Sequence, residues 1–432
     1  MPRRIFVQHS GYDLRNTGDA AMLEACVNRL QARWPSAEIV VICYDADELA
    51  ALLPDAVALG PSMRHLPLVR SLPRKIKLGG EHAYQSLSPL APVRHRPPAS
   101  APRSIREALA TSDVVVATGG GYLCDTFWWH AFGVMSCLHR AQVDGKPTGM
   151  FGQGVGPLET RLWRRLAAPT LRGLGILTLR EGHRGPALLS SMGVWSEAEA
   201  RAARTGLVTT RRGGFAAVTA DDALATALRE IDAAPLGRGD GRPRIGINVR
   251  LGTDSGVMDA SALGAVMWQA AHDLEADLVT VPVSYYDASP DEHSTRKALG
   301  PSPAGCAEVG LLSGDTRRPV HLARTTATCD VVVTGSYHAA VFALAAGTPV
   351  VGLVANDYYT YKFGGLADLY PGLVTQVRLD EPDPPSRLRA AIDQAWSLPP
   401  EARAEAVART RSYVARAQAA FDRWASEVEA TL

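Results

Sequence analysis

The sequence carries no excess of either charge. Lys and Arg number 45 against 44 Asp and Glu, a formal net charge of +1, so the overall balance projects no field that would gather a polyanion such as nucleic acid. No apolar run is long enough to cross a bilayer. Met-Pro-Arg-Arg-Ile-Phe-Val enters a strand at once, with no apolar signal region ahead of it. The six cysteines, Cys26, Cys43, Cys124, Cys137, Cys306 and Cys329, show neither CxxC nor zinc-ligand spacing and mostly sit in apolar stretches, so they read as reduced core residues of a cytoplasmic protein. Neither tail nor repeat names a partner or an oligomeric state.

What is there is an alternation. At 432 residues the chain exceeds what one hydrophobic core organises, so two domains are expected. Short aliphatic runs predict strands at 5–8, 38–43, 113–117, 148–152, 176–179, 244–249 and 278–283. Amphipathic segments predict helices at 20–34, 127–143, 160–174, 260–275 and 321–328. The fold class is therefore α/β, two doubly wound Rossmann-like domains facing a cleft. The first domain covers residues 1–213 and the second 214–399, with the boundary between Gly213 and Arg242, where Gly-Arg-Gly-Asp-Gly-Arg-Pro reads as a turn. Residues 400–432 form a long, Ala-rich, charged helix that can pack back on the N-terminal domain. Between Met63 and Ser104 proline and glycine interrupt every regular pattern, and eight Lys or Arg accompany the single acidic Glu81. That segment reads either as a solvated loop or as a basic flap over the acceptor side.

Chemistry concentrates at strand ends. Asp330-Val-Val-Val-Thr-Gly-Ser-Tyr-His338 is a buried strand, a Gly335-Ser336 turn, and a helix with His338 in its first turn, where free amides and partial positive charge suit an anion. Asp113-Val-Val-Val-Ala-Thr-Gly119-Gly120-Gly121 echoes it in the first half and is followed by Asp125. Asn16-Thr-Gly18-Asp19 follows the first strand, placing Asn16 and Asp19 toward the cleft or, alternatively, leaving Asp19 as a helix cap. Gly152-Gln153-Gly154-Val-Gly156-Pro157 gives a further strand end the same backbone freedom, and Arg180 and Arg250 end strands, ready for an anion or for carboxylate partners. Asp45-Ala-Asp47 has the look of a metal-binding pair, but its place ahead of a helix reads as a cap. Trp128-Trp129-His130 reads as an acceptor-pocket lining or as core packing.

In order along nearly the whole chain, these residues resemble the polysaccharide pyruvyl transferase family. The likeness lies in the Asn16-x-Gly-Asp19 turn, the glycine triplet with Asp125, Gly152-Gln-Gly-x-Gly-Pro157, Arg180-Glu181, the His338-Ala-x-x-Phe-Ala run through Gly352, and Tyr359-Thr-Tyr-Lys362-Phe-Gly-Gly365. The resemblance implies a GT-B-like fold and transfer of pyruvate from phosphoenolpyruvate to two hydroxyls of a sugar as a cyclic ketal, with no cofactor or metal. For that reaction His338 is the candidate acid and Asp125 or Asp19 the base. Arg180, Arg250, Lys362 and the Gly335-Ser336-Tyr337 helix start are the donor-binding groups. Asn16, Gly18, Gly119, Gly120, Gly121, Gln153 and Gly154 line the acceptor side or the cleft. Members of the family commonly place Arg-Leu ahead of the histidine; here Ser336-Tyr337 stand there, which removes one cation.

Two rivals are a nucleotide-sugar glycosyltransferase and a divergent member with another donor or a binding role. Retaining glycosyltransferases of this fold usually carry a glutamate pair after the second-domain glycine turn, and no carboxylate occurs between Thr334 and Ala355. That argues against a retaining enzyme and leaves an inverting one open.

Overall fold

The computed structural model describes residues 1–60, 102, 104–233, 241–250, 260–286, 290–303, 309–310 and 314–432. The basic segment 63–104, apart from Pro102 and Ser104, lies outside the described residues, as does Cys306. The chain forms two compact units, one made of Met1–Leu14, Met22–Asp222 and Ala415–Leu432, the other of Arg15–Ala21 and Ala223–Val414.

In the first unit the strands are β1 (Arg4–Gln8), β2 (Glu38–Ile42), β3 (Ala56–Leu59), β4 (Val114–Ala117), β5 (Gly120–Leu123), β6 (Thr148–Val155), β7 (Ile176–Leu179), β8 (Val208–Thr209) and β9 (Phe215–Val218). They lie in the order β3-β2-β1-β4-β6-β7-β9-β8, with β5 beside β6, and every pair but β8 with β9 is parallel. Covered on both faces, such strands appear in sequence as unbroken aliphatic runs, as in Val114-Val-Val-Ala117. The run Phe215-Ala-Ala-Val218 is one of these, so the sheet extends past residue 213, and the second unit opens with the helix Ala223–Ala233.

The second unit holds β10 (Arg244–Asn248), β11 (Asp277–Thr280), β12 (Val331–Thr334), β13 (Val350–Val354) and β14 (Val374–Arg378), all parallel in the order β11-β10-β12-β13-β14. Each sheet reverses its direction of growth once at its centre, between β1 and β4 and between β10 and β12. Open α/β sheets bind ligands beyond the carboxyl ends of the strands at such points.

The sequence echo has a structural role. Asp113 Oδ2 accepts hydrogen bonds from the amides of Arg3 (2.6 Å) and Arg4 (3.1 Å), and Asp330 Oδ2 accepts one from the Arg244 amide at 2.9 Å. Each aspartate stands just before a central strand and pins the start of its neighbour, setting β4 against β1 and β12 against β10.

The closing helix Pro400–Thr431 is shared between the units, with residues up to Val414 in the second and those from Ala415 in the first. Within the second unit Thr410 Oγ1 lies 2.9 Å from the Tyr370 hydroxyl. Within the first, Phe421 and Trp424 pack on Trp34 and Phe151, and Glu429 accepts from Trp34 Nε1 at 2.8 Å and from Arg33. Among the described residues no helix is long and apolar enough to cross a membrane. Cys26, Cys43, Cys124, Cys137 and Cys329 are buried thiols outside any disulfide, and burial pushes those of Cys26, Cys137 and Cys329 up to about 12, which suppresses the reactive thiolate.

Candidate functional site

Arg250 and the Gly335-Ser336 turn follow the paired strands β10 and β12, at the switch point of the second sheet. Asn248, the last residue of β10, donates from Nδ2 to the Val281 carbonyl (2.9 Å) and to Asp291 Oδ2 (2.8 Å). That same oxygen accepts the amides of Val283 (3.0 Å) and Ser284 (2.8 Å), so one buried carboxylate fixes the segment after β11 against the end of β10. On this segment rests the peptide Arg15–Ala21. Thr17 donates to the Val283 carbonyl (2.9 Å), Tyr285 to the Arg15 carbonyl (2.8 Å), and Asn16 and Ser284 form an antiparallel bridge. The Asn16–Asp19 turn thus packs within the second unit, although most of the surrounding sequence belongs to the first. Asn16 is the cap of the following helix, Thr17–Arg33: its Oδ1 accepts from Gly18 (3.0 Å) and Asp19 (3.3 Å). Asp19 therefore stands in the first turn rather than at the cap.

Gly18 faces His338. A Cβ at position 18 would lie 1.9 Å from His338 Cγ and 2.1 Å from Nδ1, so the imidazole occupies the space a side chain would take. His338 is 8 % exposed and lies in the first turn of the helix Tyr337–Ala345. The turn before it is held by Gly335 donating to the Asn248 carbonyl (3.0 Å) and Ser336 to Thr334 Oγ1 (2.8 Å). Ser336 occupies the cap position, yet its hydroxyl makes no capping bond to the helix's first amides.

Cations converge there. Burial alone would lower the Arg250 pKa, but Asp291, Tyr359, Tyr286 and Asp19 outweigh it and hold the guanidinium's affinity for its proton above the ordinary value. The helix Asp357–Leu369, capped by Asn356, places Lys362 Nζ 4.3 Å from the Tyr358 ring centroid and 5.8 Å from that of Tyr337. A cation thus stands beside Tyr337, the neighbour of the Ser336 position at which the family's arginine is missing. Ser284 Oγ is buried and has no hydrogen-bond partner among the described residues. Asn248, Ser284 and Asp291 escape a sequence reading because their roles come from contacts between separate strand ends. Asp291 has only its place at the start of the helix Asp291–Leu299 as a local signal.

The first unit gathers the remaining residues. Gln153 donates from Nε2 to the carbonyls of Gly120 (2.7 Å) and Gly154 (3.2 Å), while its Oε1 is buried with no partner among the described residues. Gly119 lies against the Gly152 carbonyl, Gly120 against the Tyr122 ring, and Gly121 is half-buried on β5. Asp125 Oδ2 accepts the amides of Glu159 (2.5 Å) and Thr160 (3.3 Å), tying the turn before the helix Trp128–Val143 to the start of the helix Arg161–Arg172. Arg180 is 1 % exposed and binds Asp221 (3.0 Å) and Glu181 (3.4 Å). Nearby in sequence, Asp222 binds Arg29 at 3.3 Å. Of the two readings of Arg180, anion ligand or carboxylate partner, the geometry realises the second. The glycine freedom at 154 serves this pair, since a Cβ there would lie 2.7 Å from both Arg180 Nε and Glu181 Oε1.

Two side readings also resolve. Asp45 caps the helix Ala46–Leu52 through the Glu48 amide at 3.2 Å. His130 is buried against Tyr12 and Tyr122, but Trp128 and Trp129 are each 42 % exposed and stack on one another instead of entering the core. Among the described residues, no group of three or more His, Cys, Asp or Glu is arranged to hold a metal ion.

Solved structures share the fold at low identity. UDP-GlcNAc 2-epimerase from Neisseria meningitidis, bound to UDP-GlcNAc, superposes with a TM-score of 0.57 at 12% identity, covering 98% of this chain and 99% of its own. A putative UDP-N-acetylglucosamine 2-epimerase from Listeria monocytogenes gives 0.56 at 14%, covering 94% and 91%. The α,α-trehalose 6-phosphate synthase from Burkholderia multivorans gives 0.51 at 14%, covering 100% and 99%. The chain has the two-domain α/β fold of the GT-B enzymes. No protein of curated function matches the sequence directly. The family model of polysaccharide pyruvyl transferase matches residues 16–194 and 261–358, which take in the Asn16 turn, the glycine triplet, Arg180 and His338. With that match across most of its length, the chain belongs to the polysaccharide pyruvyl transferase family and is a transferase.

Proposed function

We propose that this transferase takes phosphoenolpyruvate as donor and places its pyruvyl group on two hydroxyls of a sugar-containing acceptor as a cyclic ketal. The observation that carries the reading is the grouping, within one unit, of His338 in the first turn of its helix with Arg250 and Lys362. A donor with a phosphate and a carboxylate calls for such groups. Arg250 and Lys362 lie outside the residues matched by the family model, so their part rests on geometry. Arg180, already committed to two carboxylates, is left out of the donor site.

His338 would protonate the donor methylene, making it the methyl group, while a first acceptor hydroxyl adds to the adjacent carbon and gives its proton to Asp19. The second hydroxyl then displaces phosphate at that carbon and its proton leaves with the phosphate, so diol and phosphoenolpyruvate become ketal and inorganic phosphate. Asp19 is favoured over Asp125 as base because its turn packs on His338 through Gly18, whereas Asp125 ties down the Glu159–Thr160 backbone. As written, the reaction draws on no cofactor or metal. Titration calorimetry tests the donor: saturable heat with phosphoenolpyruvate is expected. Silence with phosphoenolpyruvate alongside saturable binding of a nucleotide sugar would replace this reading with glycosyl transfer.

A further inference from the structure

Apart from Met1 and Leu432, every large apolar side chain standing exposed among the described residues lies on one pair of helices. Phe127, Trp128, Trp129, Phe132 and Val143 belong to the helix Trp128–Val143 and the turn before it, and Leu162 and Leu166 to the helix Arg161–Arg172. The two helices are in contact. The Phe132 and Trp163 rings are 6.2 Å apart, and Asp125, just before Phe127, holds the amides of Glu159 and Thr160, just before Arg161. Trp128 and Trp129 stack at 3.8 Å, so their indoles present one broad face. A scattered exposed leucine needs no explanation, but large apolar side chains gathered on two touching helices are what a binding surface carries.

Charge says what it binds. The helix Arg161–Arg172 carries Arg161, Arg164, Arg165 and Arg172 and no acidic residue, in a chain whose net charge is only +1. These four arginines, with Ala168, Ser191 and Met192, line a surface cavity of about 280 Å³. Arg161, Arg165 and Arg172 pair with no carboxylate among the described residues, and Arg172 Nε is buried without an acceptor. Leu162 and Leu166 run alongside the Arg161–Arg165 stripe, one helical step round. A second copy of the chain is a poor occupant, because a two-fold contact would set this arginine face against itself. Tryptophan, phenylalanine and leucine beside a purely cationic stripe are the composition of a segment lying in a bilayer interface.

We propose that this face docks the enzyme on an anionic phospholipid surface, with lipid phosphates in the four-arginine cavity and Trp128, Trp129, Phe132, Leu162 and Leu166 at the level of the headgroups and first acyl carbons. The inference does not depend on the identity of the donor. Vesicle flotation of the full chain tests it, comparing phosphatidylcholine vesicles with and without phosphatidylglycerol, while gel filtration follows the oligomeric state. Binding should require phosphatidylglycerol and weaken with salt. Arg161→Glu with Arg165→Glu should lower partitioning by about tenfold or more. Leu162→Ser with Leu166→Ser should also lower it, while leaving the thermal melt unchanged, as expected for exposed side chains. Inorganic phosphate should not displace bound protein at matched ionic strength; displacement would reassign the cavity to a free anion. Absence of flotation with phosphatidylglycerol, or a dimer that the leucine pair disrupts, would overturn the proposal.

Discussion

Gly18 and His338 occupy one another's space: the imidazole fills the position that a Cβ on residue 18 would take, with 1.9 Å between that point and Cγ. The glycine of the Asn16–Asp19 turn is thus explained by a histidine more than three hundred residues later in the chain. Gly18→Ala should leave the helical backbone intact, since this glycine lacks a positive φ, while forcing the ring aside. Turnover should fall by about a hundredfold or more with little loss in thermal stability. Wild-type turnover in this variant would separate His338 from the chemistry.

His338→Gln retains hydrogen-bonding capacity and cannot deliver a proton. If His338 is the acid, kcat falls by roughly a hundredfold to ten-thousandfold with donor affinity largely kept. Near-normal kcat with an unchanged melt would make Tyr337 the next acid to test.

Arg250→Ala removes a cation that Asp291 and its neighbours keep charged despite burial. Phosphoenolpyruvate affinity should drop by about tenfold or more, read by calorimetry, with Arg250→Lys recovering part of it. Equal affinity in the wild type and Arg250→Ala would remove Arg250 from the donor site.

Arg180→Ala gives the contrasting outcome. It strands Asp221 and Glu181 in the interior, and removing one partner from a buried pair costs about 3–5 kcal/mol. Gly154→Ala, whose Cβ would press on the same pair, should destabilise in the same direction. Urea unfolding measures both. A loss of donor affinity in Arg180→Ala without a loss of stability would return Arg180 to the ligand site.

His9, at the end of β1, is fully buried, and its Nε2–H is directed at the Ile42 carbonyl. Burial lowers its pKa from 6.5 to about 4, the bond to Ile42 opposing only in part. Between those values the unfolded chain binds a proton that the folded chain refuses, so stability is full above pH 6.5 and declines as pH falls toward 4. The loss approaches about 3 kcal/mol. His9→Gln keeps a donor for Ile42 and cannot titrate, so its acid limb should flatten in pH-dependent melts; an identical limb in both proteins would place the acid sensitivity elsewhere.

Aliphatic runs bounded by glycine, as at Val114–Ala117 and Val331–Thr334, made the parallel strands legible in sequence, because a strand buried on both faces needs no partner to reveal its pattern. The order of the strand-end motifs was enough to reach the family. Membership in a three-dimensional group was not readable, because it depends on contacts distant in sequence. Tertiary packing alone put the Asn16 turn on the segment held by Asp291, gave Arg180 to Asp221 and Glu181, and brought Lys362 beside Tyr337. It also left Trp128 and Trp129 outside, where helical position pointed inward, because only the neighbouring helix decides which face of a helix is covered.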